Sequence, residues 1–251
     1  MRNHRTWSVH AVIALLLLAA AADARAQSQP AESRWVFDVG TGVDPSINGN
    51  VNSGAIGTLQ GQATAVLPQP YGEVYGTGIE LHFGGGYTLN DQSELRGIFT
   101  FQSADADLVR LGDIGPSSLY GQYSDYKSFG LDIGYRRYFS SPRSTLRPYG
   151  EAMLGAAFVD RINVQFAAPR SNLIFNSTDF YDSTAAFTWR LNVGVLIRVA
   201  PQIDLSGQIG LRHVGGLSQV DQFVGTGLET INNDTGRLTF PIAIGVRFRF
   251  R

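Results

Sequence analysis

Cysteine is absent from the 251 residues, so no disulfide braces the fold and no cysteine-based zinc site can be built. An excess of one charge is equally lacking. Twenty Lys+Arg stand against 21 Asp+Glu, which leaves no cationic footprint for nucleic acid. Long apolar runs are missing beyond the amino terminus. Residues 9–22, interrupted by His10, fall short of the roughly 20 residues of a membrane helix, and nothing later comes closer. No helical periodicity stands out either.

The short apolar run has another use. Arg2, His4 and Arg5 precede it, and Ala24-Arg25-Ala26 places small residues where signal peptidase needs them. The pattern predicts a signal peptide over 1–26, a short segment over 27–33 and one domain over 34–251. Cleavage after Ala26 removes Arg2, Arg5, Arg25 and Asp23, leaving 17 basic against 20 acidic residues. Export restricts the mature chain to the periplasm, the outer membrane or the exterior.

What is present is glycine, 29 residues of it, aromatics at 11%, and alternation. The closing stretch sets Leu238, Phe240, Ile242, Ile244, Val246, Phe248 and Phe250 against Arg237, Thr239, Pro241, Ala243, Gly245, Arg247 and Arg249. Successive strand side chains point to opposite faces, so one face is apolar and the other small, polar or cationic. The same alternation recurs over 35–43, 76–89, 93–103, 126–139, 146–161, 184–199 and 203–214. Between the eight runs the connections go long, short, long, short. The long ones are polar segments centred near Gly61, Gly115, Ser171 and Gly225, and 55–66 carries some strand propensity.

Membrane-spanning β-strands need about 9–11 residues, alternate lipid-facing with lumen-facing side chains, and join by short periplasmic turns and long outer loops. Soluble strands are usually shorter, around 5–6 residues. The pattern predicts an all-β fold: an eight-stranded antiparallel transmembrane β-barrel with short periplasmic turns and four long extracellular loops. It would lie in the outer membrane of a Gram-negative bacterium. A soluble lipocalin-like barrel or sandwich is the alternative, and a ten-stranded count would break the long-short order. Trp35, Tyr87, Phe99, Tyr135, Phe139, Trp189 and Phe248 are expected on the lipid face and in its interfacial girdles.

The inward face would then carry Asp38, Glu80, Glu94, Asp132, Glu151 and Asp204 with Arg96, Arg136, Arg147, Arg190, Arg198, Arg212, Arg247 and Arg249. Eight strands leave an interior just wide enough for side chains. Charges there must pair, because an unpaired buried charge is costly. The expectation is a plug of ion pairs, with Arg247 and Arg249 seeking Asp38 or Glu80; a narrow anion path lined by the arginine excess is the alternative.

The strand from Phe240 through Ile242, Ile244, Val246 and Phe248 to Phe250, and the opening Arg147-Pro148-Tyr149 with Gly155, resemble the small eight-stranded outer-membrane barrels. That group includes the OmpA transmembrane domain and OmpX. The resemblance covers roughly Trp35 to the end and implies architecture more than activity. It implies that the aromatic end of the last strand is read by the barrel-assembly machinery, although Arg251 here follows Phe250 where such strands usually finish on Phe.

Catalytic material is sparse. His82 and His213 are the histidines left after cleavage, on different strands. Barrel lipid A deacylases carry His-x-Ser-Asn at such a site. Here Val214-Gly215-Gly216 follows His213 and Ser218 lies five residues on, so neither a catalytic residue nor a metal or cofactor is expected. Asp105, Asp107, Asp113, Asp125 and Asn232-Asn233-Asp234 make no calcium-loop motif and are expected to be solvated. The reading is a monomeric barrel with a structural or surface-interaction role, in contact with outer-membrane lipid and lipopolysaccharide and displaying its loops to an extracellular ligand. A narrow channel for small solutes and a lipid A-modifying hydrolase are the alternatives.

Overall fold

Each alternating run becomes one stave of a closed ring. The computed structural model describes residues 34–233 and 236–250; the signal peptide expected over 1–26, the segment 27–33, Asp234 and Arg251 lie outside the described residues. The staves are β1 (Trp35–Asn48), β2 (Thr77–Asn90), β3 (Ser93–Ala104), β4 (Tyr126–Tyr138), β5 (Leu146–Val159), β6 (Thr184–Ala200) and β7 (Ile203–Val214). The last, β8, runs as Arg237–Thr239 and resumes as Ile242–Arg249. Neighbours pair antiparallel, and β8 pairs with both β7 and β1, in register from Val36↔Arg249 to Val43↔Ile242. Among the described residues every stave is paired on both sides, so the ring has no open edge.

Pro241 interrupts β8 because it has no N–H to give to the ladder. The bonding continues around it, with Phe240 N donating to Pro45 O (3.0 Å) and Gly210 N to Pro241 O (3.1 Å). The short connections are tight turns. In one, Gln92 N–H donates to Asn90 Oδ1 at 2.9 Å, a side-chain mimic of a backbone turn.

The stave surface is apolar outside and polar inside. Leu81, Ile133, Leu154, Val193 and Ile244 are exposed, whereas Glu80, Asp132, Arg190 and Arg212 are buried. Phe83, Phe99, Phe101, Phe129 and Phe158 run as a row across β2 to β5, with adjacent ring centroids 5.3–5.9 Å apart. At the short-turn end Trp35 lies edge-on to Tyr87 at 5.0 Å.

The long connections depart from the expectation of polar loops. Eight strands form a second antiparallel sheet: seven in the order Ser218–Gln219, Thr178–Asp182, Ile162–Ala168, Ser117–Tyr123, Leu108–Ile114, Gln62–Val66 and Ala55–Leu59, and Leu173–Ile174 paired beside Ile162–Ala168. Its far edge is covered by the segment over 223–233: Thr58 N donates to Thr226 O (2.7 Å) and Ser53 N to Ile231 O (3.2 Å). The result is a crown on the barrel. Two-residue turns close two of its hairpins, at Gln60-Gly61 and Gly115-Pro116. Gln60 (φ 49°) and Gly61 (φ 75°) both take positive φ between Leu59 and Gln62, the geometry that matches strand twist.

The crown holds the larger apolar core, against the small cluster of Tyr138, Tyr149 and Leu196 within the staves. Leu111, Ile114, Leu119, Ile162, Val164, Phe180, Leu228 and Ile231 are fully buried together, with the one-turn helix α1 (Tyr71–Val74) packed among them through Tyr71 and Val74. These residues were hidden in the sequence by polar turn residues between strands of only five to seven residues.

Candidate functional site

The lumen is where chemistry-bearing side chains converge. Of all the basic residues of the chain, Lys127 alone is a lysine; the enclosed cations are arginines, whose planar forks bond several carboxylates at once. Inward glycines make room. A Cβ at Gly86 would meet the Glu94 carboxylate, one at Gly155 that of Asp132, and one at Gly40 the His82 ring.

Two layers of ion pairs fill the space. In the layer nearer the crown, Arg190 bonds Glu80 (3.1 Å), Asp132 (3.0 Å) and the Thr100 hydroxyl (2.9 Å). Arg212 lies 3.7 Å from Glu80 and 3.8 Å from Asp44, and donates to Gln102 Oε1 at 2.9 Å. Gln102 donates to Asp44, and His82 Nδ1 is 3.6 Å from Glu80. In the layer nearer the short turns, Arg96 pairs with Asp38, with Glu94 (3.3 Å) and with Glu151 (3.4 Å). Arg136 pairs with Glu151 at 2.8 Å and stacks on Tyr149 at 3.9 Å. Arg247 pairs with Glu94 and donates to the Tyr138 hydroxyl at 2.6 Å.

The mouth at the short-turn end is looser. Asp204 takes Arg249 at 2.9 Å and Arg198 at 3.8 Å. Arg147 lies over the Tyr138 ring (4.0 Å) and donates to Asp91 O (2.9 Å).

Of the fourteen charges named from the alternation, eleven are buried and Arg147, Arg198 and Arg249 are half-buried; two expected partnerships differ. Asp38 and Glu80 are taken by Arg96 and Arg190, while Arg247 reaches Glu94 and Arg249 reaches Asp204. Barrel strands are tilted, so a side chain reaches staves well beyond its sequence neighbours. Two enclosed charges are additions. Asp44 shares the parity of Asp38 but stood in what read as loop. Arg237 shares the parity of Arg247; its Nε donates to Ser46 Oγ at 2.8 Å and its guanidinium lies 4.5 Å from the Tyr126 ring.

A roof of tyrosines separates these layers from the crown core. Tyr75 lies 5.8 Å from Tyr126 and 6.1 Å from Tyr71, ring to ring. Burial pushes the Tyr75 hydroxyl well above its ordinary range. Burial raises Tyr123 also, against the opposing effect of its hydrogen bond from Asn52.

His213 and Ser218 are not brought together as a catalytic pair. His213 faces outward and stacks on Trp189 at 5.7 Å, whereas Ser218 pairs with Asp182 in the crown sheet. Among the loop acids, Asp113 pairs with Arg110 at 2.8 Å. Asn232, expected to be solvated, is instead buried and donates to Val220 O (2.7 Å) and Phe180 O (3.2 Å). Its amide ties the covering segment to the crown sheet. The crown's outer face carries a shallow cleft of about 280 Å³ lined by Leu108, Ser118, Tyr120, Ala167, Pro169 and Arg170.

Comparison with known proteins places this architecture. The outer membrane protein beta-barrel domain family matches residues 12–250. Among solved structures, Neisserial surface protein A is 15% identical over 88% of this chain and 100% of that one, with a TM-score of 0.46. OprG from Pseudomonas aeruginosa is 12% identical over 88% and 97%, TM-score 0.43. Ail, the attachment invasion locus protein of Yersinia pestis, is 12% identical over 86% and 99%, TM-score 0.36. No curated protein matches the chain.

Proposed function

The chain belongs to the outer membrane protein β-barrel family and so lies in the outer membrane of a Gram-negative bacterium, and from that premise we propose that it is a closed barrel presenting a folded crown for surface interaction. One observation carries this reading: the lumen is filled by mutually paired charges and overlain by an apolar core. Eight staves leave little free bore, and moving a hydrated solute past Leu111, Ile114 and Phe180 would require the crown to open.

The crown supplies what a binding platform needs. Functional loops work best on a rigid scaffold, and here the scaffold extends into the loops. Ile56 (82% exposed) and Ile174 (76%) stand exposed on the crown, Ile174 paired with Ala167 of the cleft around Tyr120. The monomer contacts lipid and lipopolysaccharide through the stave surface, and the assembly machinery reads the outward row Phe240, Ile242, Ile244, Val246, Phe248 and Phe250. A structural rather than enzymatic role fits the placement of His213, which stacks on Trp189 while Ser218 pairs with Asp182 in the crown.

Planar-bilayer recording tests the proposal. The purified barrel is expected to give no conductance steps under a voltage at which a general porin conducts. Stable, reproducible steps would replace the closed display barrel by a narrow channel.

A further inference from the structure

Charge is distributed unevenly along the barrel axis. Among the described residues the enclosed lumen is balanced, six carboxylates by six guanidiniums. The periplasmic mouth is not. Arg147 of β5, Arg198 of β6 and Arg249 of β8 face inward on adjacent staves around one carboxylate, Asp204 of β7. A single acid neutralises one of the three, so the cup carries two positive charges in excess.

The three guanidiniums are held in place without further acids. Arg147 is fixed by the Tyr138 ring and by Asp91 O, and Arg198 by Pro142 O at 2.6 Å. Arg147 also lies within electrostatic reach of Asp204, Arg198 and Arg247. The Nε atoms of all three arginines are buried without a hydrogen-bond partner. Yet the side chains of Arg198 and Arg249 keep 28% and 24% of their surface in solvent. Half-buried like charges repel more strongly than exposed ones, because solvent screens them less. A cluster of this kind is stabilised by a multivalent anion.

We propose that the periplasmic mouth is a phosphate-binding cup, in which Arg147, Arg198 and Arg249 take a dianionic phosphate group beside Asp204. Phosphate offers several acceptor oxygens to planar guanidinium forks and carries the charge the cup lacks. The group is either free in the periplasm or borne as a phosphomonoester by a lipid headgroup of the facing leaflet. The inference is independent of whether the lumen conducts, since the cup lies outside the paired layers.

The test is calorimetric titration of the full chain, folded in a phosphate-free glycoside detergent, with inorganic phosphate and separately with a short-chain phosphatidic acid, a lipid phosphomonoester. Saturable binding that weakens with added salt is expected for at least one titrant. Binding of phosphate alone identifies a soluble source, and binding of the lipid alone identifies a headgroup. Arg147→Gln and Arg249→Gln should each weaken binding about tenfold, the loss of one charge-assisted bond. Asp204→Asn should tighten it, because a competing carboxylate is gone, and this variant separates a site from a merely structural cluster. Arg161→Gln in the crown should change nothing, and heat-modifiable migration on a gel verifies that each variant is folded. No saturable binding of either titrant would overturn the cup, and so would binding that the Arg147→Gln/Arg249→Gln double variant leaves intact.

Discussion

The staves and the crown are built from one continuous sheet-forming chain with opposite senses. In β3, Phe99 and Phe101 point out and Thr100 and Gln102 point in; ten residues on, Arg110 points out and Leu111 points in. The alternation has the same period in both, because strand geometry fixes it. Its sign is set by the medium outside. Around the staves that medium is hydrocarbon, so polar groups retreat inward and must pair. Around the crown it is water, and apolar side chains retreat as in any soluble domain.

The strongest way to break this comparison is to remove a shared cation from the lumen. Arg190→Ala strands Glu80 and Asp132 without their common partner, and a loss of about 3–5 kcal/mol is expected for an unpaired buried charge. Urea unfolding in lipid vesicles would show it. Phe180→Ala, in the crown core, should cost a similar sum, about 3–5 kcal/mol for a cavity left by an aromatic. The failure should be different in kind: proteolysis should reach the crown while the staves keep their heat-modifiable gel shift.

Charge placed on the two outer faces sharpens the contrast. Ile133 and Ile174 are comparably exposed, 68% and 76%. Ile133→Arg should destabilise by about 2–4 kcal/mol, since the residue meets hydrocarbon. Ile174→Arg should stay within about 0.5 kcal/mol, since it meets water.

The smallest effect concerns pH. Glu229 accepts hydrogen bonds from Gly225 N (2.8 Å) and Gly227 N (3.1 Å). Backbone N–H groups, those of Glu229 itself and Gly227 first, hold its carboxyl below the usual carboxylate range. A lowered carboxylate stabilises the fold above its ordinary pKa and loses that contribution as pH falls through the lowered value. Amide exchange at Gly225 and Gly227 should therefore quicken in acid, while amides of β4 stay protected.

The barrel was readable because its signal is local and repeated. Each stave carries its own period-two pattern, and turns such as Asn90-Asp91-Gln92 announce themselves by composition. The crown was not, because strands as short as Gln62–Val66 carry too few alternating positions, and its pairings with Leu108–Ile114 join residues almost fifty positions apart. Asp44 was lost with it, at the point where β1 passes from one medium to the other. Parity shows which charges share a face, but not that Arg190 joins Glu80 across 110 positions; partner choice depends on tilt, which single-strand patterns do not encode.

Because the chain has no cysteine, single cysteines report each face without background, and four positions along one hairpin test the inversion most directly. In cells, a membrane-impermeant maleimide should modify Leu108→Cys and leave Phe99→Cys, Thr100→Cys and Leu111→Cys unmodified, while a lipid-soluble maleimide should add Phe99→Cys alone. Modification of Thr100→Cys or Leu111→Cys by the impermeant reagent would contradict both the sealed lumen and the apolar crown core.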